Sequence, residues 1–126
     1  MIFGIGTDIV EIRRLKNLIK KKAFISRLFN KDEILKCQKI NNSSNCFSKR
    51  FAAKEAFSKA LGSGIAKGIK FNEIEVLNDK KGKPGLHIYG SSLKITSKLL
   101  KKRKFNIYLS LSDDTPFATA TVILTY

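Results

Sequence analysis

The chain has 126 residues, 43% of them apolar, which supports one hydrophobic core and leaves little for a second. Lys and Arg number 25 against 10 acidic residues, a formal charge of +15, so the field attracts polyanions: nucleic acid, anionic membrane, phosphorylated cofactors or an acidic protein. No apolar run approaches the roughly 20 residues of a membrane-spanning helix, and no repeat or Gly/Ser/Pro-rich tract marks a linker, so a single domain over residues 1–126 is expected.

Residues 2–8 read as a buried strand, with Gly4, Gly6 and Asp8 on one face and Ile5 and Thr7 on the other. The two glycines leave open space beside the carboxylate. Met1–Val10 is apolar but lacks a leading basic region, so it reads as this strand and not as a signal peptide. A helix over about Val10–Lys22 follows from Ile12, Leu15, Leu18 and Ile19 at helical spacing. Short helical pieces are expected around Phe24–Phe29 and Lys31–Lys39. The polar run 41–45 is the clearest loop, with Ser and Asn residues suited to cap what comes next.

The longest helix spans roughly Ser44–Leu61, with Phe47, Ala53, Phe57, Ala60 and Leu61 on its apolar side and Gly62 ending it. A hairpin is expected from Phe71–Leu77 and Leu86–Tyr89, a basic helix over Ser91–Lys102, and a second hairpin from 107–112 and 117–124. Strands at both ends with helices between them make an α+β fold, one compact domain with an antiparallel sheet and a long central helix. Cys37 and Cys46 have no CxxC spacing and no nearby histidine, so two free thiols in a reducing cytosol are expected and zinc is not.

Four features carry chemistry, each beside a plainer reading. Asp8, three residues before Glu11, fits a helix capping box, or a metal ligand at a strand end. Glu55 fits an i,i+4 pair with Lys59 on a solvated face; its spacing from Phe51 would also set it at the edge of a cleft. The loop Gly62-Ser63-Gly64-Ile65-Ala66-Lys67-Gly68 is a helix C-cap or a phosphate loop. Because it follows a helix, the negative pole faces it, and phosphate there would require Lys54, Lys59, Lys67 or a metal. Arg13, Arg14, Lys16, Lys20, Lys21, Lys22 and Arg27 form a solvated face or a docking surface for an acidic partner. The single histidine, His87, joins no catalytic pattern.

Gly4-Ile5-Gly6-Thr7-Asp8-Ile9-Val10-Glu11-Ile12-Arg13-Arg14 resembles the opening motif of the bacterial holo-acyl-carrier-protein synthases, of the 4′-phosphopantetheinyl transferase type. Phe51-Ala52-Ala53-Lys54-Glu55-Ala56-Phe57-Ser58-Lys59-Ala60-Leu61-Gly62-Ser63-Gly64-Ile65 is similar to their central motif. Ile74-Glu75-Val76 with Gly82-Lys83-Pro84 resembles the third block, and Ser110-Leu111-Ser112 with Ala118, Ala120 and Val122 the fourth. The resemblance implies a cytoplasmic enzyme that moves the phosphopantetheine arm of coenzyme A to a serine of acyl carrier protein. It implies Mg²⁺ bound by Asp8 and Glu55, with Glu55 as proton acceptor and Lys59 neutralising phosphate charge. It further implies coenzyme A contacts from Arg50, Lys54, Lys59, Gly62, Ser63, Gly64, Ile65, Gly82, Lys83 and Pro84.

Docking of the acidic carrier by Arg13, Arg14, Lys20, Lys21 and Arg27 is implied as well, as is a homotrimer with active sites between subunits. One position departs from the family pattern: Asp113 follows Ser112 where a histidine is usual. A basic nucleic-acid-binding module is the alternative. It would need aromatic residues interleaved with a basic surface, whereas Phe51 and Phe57 fall on a helix. Neither sequence-specific nucleic-acid binding nor a membrane is expected.

Overall fold

Alternating small and apolar residues make strands of both chain ends, and these pair with each other. The structure, a computed structural model, describes residues 1–62 and 67–126. β1 (Ile2–Glu11) pairs antiparallel with β5 (Phe117–Thr125), which pairs antiparallel with β4 (Asn106–Asp114), giving the order β1-β5-β4. The hairpin of β2 (Ile74–Asn78) and β3 (Pro84–Ile88) forms a second, two-stranded sheet. Between them run α1 (Ile12–Leu18), α2 (Lys22–Leu28), α3 (Lys31–Gln38), α4 (Ser43–Leu61) and, after β3, α5 (Gly90–Leu100). A 3-10 turn, Phe71–Glu73, leads into β2.

The expected α+β class and long central helix are both present. α4 lies against β1 and β5 and is buried almost all round, with Phe47, Ala53, Phe57, Ala60 and Leu61 in the core. Val122 and Leu124 of β5 meet it from below, and Phe29 stacks at a tilt on Phe47, ring centroids 4.9 Å apart. The opposite face of the three-stranded sheet is apolar and open: Ile5 is 66% exposed and Ile9 63%, with Tyr108 and Phe117 beside them.

Three expectations change. The glycines of β1 do not open space beside Asp8. A Cβ at Gly4 would strike the carbonyl oxygen of Ala60, and one at Gly6 that of Ala56, so these glycines let the α4 backbone approach the strand. The expected helix over 10–22 begins only at Ile12 and stops at Leu18, because Ile9, Val10 and Glu11 continue the pairing with Thr119, Ala118 and Phe117. Cys37 and Cys46 are not free. The turn after α3 folds the chain back along α4, brings their Cα atoms to 5.5 Å, and a disulfide joins them. Asn42, at the start of α4, makes no side-chain cap bond.

Candidate active site

Gly4 and Gly6 seat α4 on β1, and the same strand face, continued to Asp8, presents its carboxylate to the middle of the helix. Asp8 is therefore a strand residue and caps no helix. Lys59, expected to pair with Glu55 along α4, turns to the strand instead: its Nζ donates to Asp8 Oδ1 at 3.0 Å and to the Thr7 carbonyl at 3.0 Å. Glu55, half-buried, feels both. Burial raises its carboxyl above the ordinary range, the Asp8 charge raises it further, and Lys59 and Arg14 pull it back. Two acids and one lysine thus converge where β1 crosses α4.

Among the described residues, no group of three or more His, Cys, Asp or Glu side chains gathers around a common point. Two adjacent carboxylates do suit Mg²⁺, which commonly takes one or two acids and completes its shell with water and phosphate oxygens.

On one side of Glu55 lies an apolar cavity of about 630 Å³, walled by Phe24, Leu28, Phe51, Ile69 and Phe71, with Arg27 in its lining. A second cavity, of about 460 Å³, lies by the start of α4 and is basic, lined by Lys36, Lys49 and Arg50 with Asn45, Gly82 and Asp113. Arg50 is buried; its Nη1 donates to the Cys46 carbonyl at 3.3 Å and approaches Cys46 Sγ at 3.1 Å, while its Nε has no partner among the described residues. Asp113 accepts from Asn45 Nδ2 at 2.9 Å and pairs with Lys49 Nζ at 3.2 Å. Both contacts hold its carboxyl below the ordinary range, Asn45 most of all.

The sequence profile of the 4′-phosphopantetheinyl transferase superfamily matches residues 4–121. The chain belongs to this superfamily. It is 47% identical over 123 residues to the holo-[acyl-carrier-protein] synthase of Pelagibacter ubique, covering 98% of this chain and 96% of that one. To the enzyme of the same name from Blochmanniella pennsylvanica it is 42% identical over 126 residues, covering 98% of each. The crystal structure of holo-[acyl-carrier-protein] synthase from Neisseria meningitidis superposes with a TM-score of 0.86 at 37% identity over 100% of both chains. A synthase from Bacillus anthracis in complex with coenzyme A (3′,5′-ADP) gives 0.81 at 35% identity, covering 99% of this chain and 97% of that one.

Within this transferase the expected site residues divide. Asp8, Glu55 and Lys59 come together. Arg50 and Gly82 share the basic cavity, whereas Lys83 and Pro84 line two other clefts, one against β4 and β5 and one with Leu77, Asn78 and His87 of the β2–β3 hairpin. Gly62 is the C-cap of α4, at φ +92°, and Ser63, Gly64 and Ile65 lie outside the described residues. Arg13, Arg14, Lys20, Lys21 and Arg27 are exposed on α1, α2 and the turn between them, Arg13 pairing with Glu11 at 3.2 Å.

Lys54 is the correction. It is wholly buried, and its Nζ is taken by Glu33 Oε1 at 2.6 Å, the Leu28 carbonyl at 2.7 Å and the Phe71 carbonyl at 2.9 Å. A lysine facing into the protein reaches no coenzyme. Sequence reasoning also missed Glu33, Lys49 and Asn45. Glu33 had a signal, since Asn30-Lys31-Asp32-Glu33 has capping-box spacing and the box forms. Lys49 and Asn45 had none, because only the fold brings them to Asp113.

Proposed function

We propose that this chain is a single 4′-phosphopantetheinyl transferase domain that moves the 4′-phosphopantetheine of coenzyme A to a serine hydroxyl of apo acyl carrier protein, with Mg²⁺, releasing adenosine 3′,5′-bisphosphate. The convergence of Asp8, Glu55 and Lys59 carries the reading. Relatives named as holo-[acyl-carrier-protein] synthases support it, as do related structures that hold coenzyme A.

Asp8 and Glu55 would hold the Mg²⁺, which when bound neutralises charge on the diphosphate and stabilises the leaving phosphate. The carrier serine oxygen attacks the phosphorus nearer the pantetheine, and the bond from that phosphorus to the bridging oxygen breaks. The bridging oxygen leaves with the electron pair as part of the nucleoside bisphosphate. Glu55 takes the serine proton, directly or through a water, and in the metal-free protein burial and Asp8 raise its affinity for a proton. Lys59, held ready on Asp8, meets the phosphate charge that develops one helical turn from Glu55.

The basic cavity of Lys36, Lys49 and Arg50, with Gly82 in its lining, suits the nucleotide end of coenzyme A, and Lys83 and Pro84, next in the chain, would extend the contact. Asp113, which alone would repel a phosphate, is neutralised by Lys49. The acidic carrier docks on the exposed basic residues Arg13, Arg14, Lys20, Lys21 and Arg27, of which Arg14 acts on the Glu55 carboxyl and Arg27 lines the cavity beside it. The apolar cavity lined by Phe24, Phe51 and Arg27 receives an apolar segment of it. The open apolar sheet face around Ile5, Ile9 and Phe117 supports a homotrimer with sites between subunits. No described helix is long and apolar enough to cross a membrane, and we place the enzyme in the cytoplasm with its substrates.

Incubation with coenzyme A, Mg²⁺ and apo carrier is expected to add the phosphopantetheine mass to the carrier, and EDTA to prevent it. No mass gain on a competent apo carrier overturns the reading. Nothing favours a nucleic-acid module. Phe57 is in the core, Phe51 lines the cavity, and the outward residues of β1, β4 and β5 include aromatics but no Lys or Arg.

A further inference from the structure

A lysine on a solvated helix face needs no partners, and a buried one needs all three of its protons accepted. The three acceptors of Lys54 belong to three separate segments. Leu28 ends α2, Glu33 stands in the first turn of α3, and Phe71 opens the 3-10 turn. Glu33 extends the set: its Oε2 accepts the Val76 amide of β2 at 3.1 Å, and its Oε1 also accepts the Asn30 amide at 3.1 Å. The Phe29 ring lies under the ammonium, its centroid 4.8 Å away. One ion pair thus ties α2, α3, the 3-10 turn and β2 to α4.

Two of those segments, α2 and the 3-10 turn, wall the apolar cavity beside Glu55. Leu28 and Phe71, whose carbonyls Lys54 holds, both line it. Apolar packing holds α2 only in part: Ile25 and Leu28 pack against the core, but none of its residues from Lys22 to Leu28 is fully buried. Its further polar ties are few, and one of them, from Asn72 Nδ2 to the Ser26 carbonyl at 3.2 Å, also runs to the 3-10 turn. The shape of the cavity therefore depends on where the Lys54–Glu33 pair puts those two carbonyls. A buried ion pair is in general a weak source of net stability, whereas it fixes geometry through its directional bonds.

We propose that Lys54, with Glu33, is a positioning residue for the acceptor side of the reaction: it holds α2 and the 3-10 turn in the arrangement that lets the carrier seat against Glu55. This rests on the transferase reading above and adds to it the device that shapes the acceptor site. The bonds of Lys54 run to the walls of this cavity and not to the basic cavity, so the two substrates should respond differently to its loss.

The test uses the double variant Lys54→Met/Glu33→Leu, which removes both charges together and leaves neither stranded, alongside Lys54→Met alone. In the double variant the KM for apo carrier is expected to rise about tenfold while the KM for coenzyme A stays within about twofold, in a protein that folds with a lower melting temperature because the Leu28 and Phe71 carbonyls and the Val76 and Asn30 amides lose their partners. Amide exchange across residues 22–28 should quicken, with α4 unchanged. Should Lys54→Met alone not fold, the double variant decides. A folded double variant with wild-type carrier KM and wild-type exchange in α2 overturns the proposal, and so does an equal rise in both KM values. If the wild-type protein modifies no apo carrier, the transferase reading fails, and exchange in α2 still decides whether Lys54 holds the wall.

Discussion

Of the three lysines of α4, Lys54 and Lys59, five residues apart, do opposite things. Lys54 is fully buried with every proton accepted, while Lys59 is exposed on the Asp8 carboxylate. Around Lys54 the charges are matched and dry, with acceptors drawn from three other segments. Around Lys59 two acids face one lysine, Glu55 is half-buried, and its proton affinity is raised. A charge whose bonds are complete is holding the protein in shape. A cluster with an acid in excess is electrostatically incomplete, as groups at functional sites commonly are.

The largest effect expected at the incomplete cluster comes from Asp8→Ala or Glu55→Ala. Each should lower the rate of carrier modification about 10³-fold or more, with the denaturation midpoint nearly unchanged, as single-turnover and unfolding measurements would read. The buried region should behave in reverse. Lys54→Met strands Glu33 and is expected to cost about 3–5 kcal/mol of stability, checked by urea unfolding. If Lys54→Met were as stable as wild type, the contrast between the lysines would collapse.

Reduction of the Cys37–Cys46 link closes the next interval. The loop is short, so its loss should lower stability by about 2–3 kcal/mol, and peptide mapping without reductant should recover the two cysteines joined. Lys59→Met, by contrast, removes an ion pair with more than half of the lysine side chain exposed, and should change stability by less than about 1 kcal/mol while slowing catalysis. The smallest effect sharpens the electrostatics. Asp8→Asn removes an anion near Glu55, so the Glu55 carboxyl should titrate at lower pH in the metal-free protein, followed by carbon NMR. An unmoved titration would mean that the two acids do not sense each other.

Much of the fold was legible because its signals are local. Alternation marked β1 and the terminal hairpin, and the alanine-rich run between Phe47 and Gly62 marked α4 to within a residue at its start. The end of β1 was misread for the same reason. Ile12, Leu15 and Leu18 have helical spacing, but how far the strand runs is set by hydrogen bonds to β5, more than 100 residues away along the chain. Asp8, Glu55 and Lys59 were legible as a set through motif resemblance, and the contact between Lys59 and Asp8 was not, since helical spacing pointed Lys59 at Glu55.

By itself the sequence determined the order of the elements, the excess of positive charge and the residue types able to hold magnesium and phosphate, because each depends on composition or on neighbours along the chain. Tertiary structure alone decided that Gly4 and Gly6 admit a helix backbone, that Cys37 meets Cys46, that Lys49 neutralises Asp113, and that Lys54 faces inward while Lys59 faces out. Each of those is a contact between segments far apart in the chain, and a helical or strand repeat reports which face a residue shares but not what the fold brings against it.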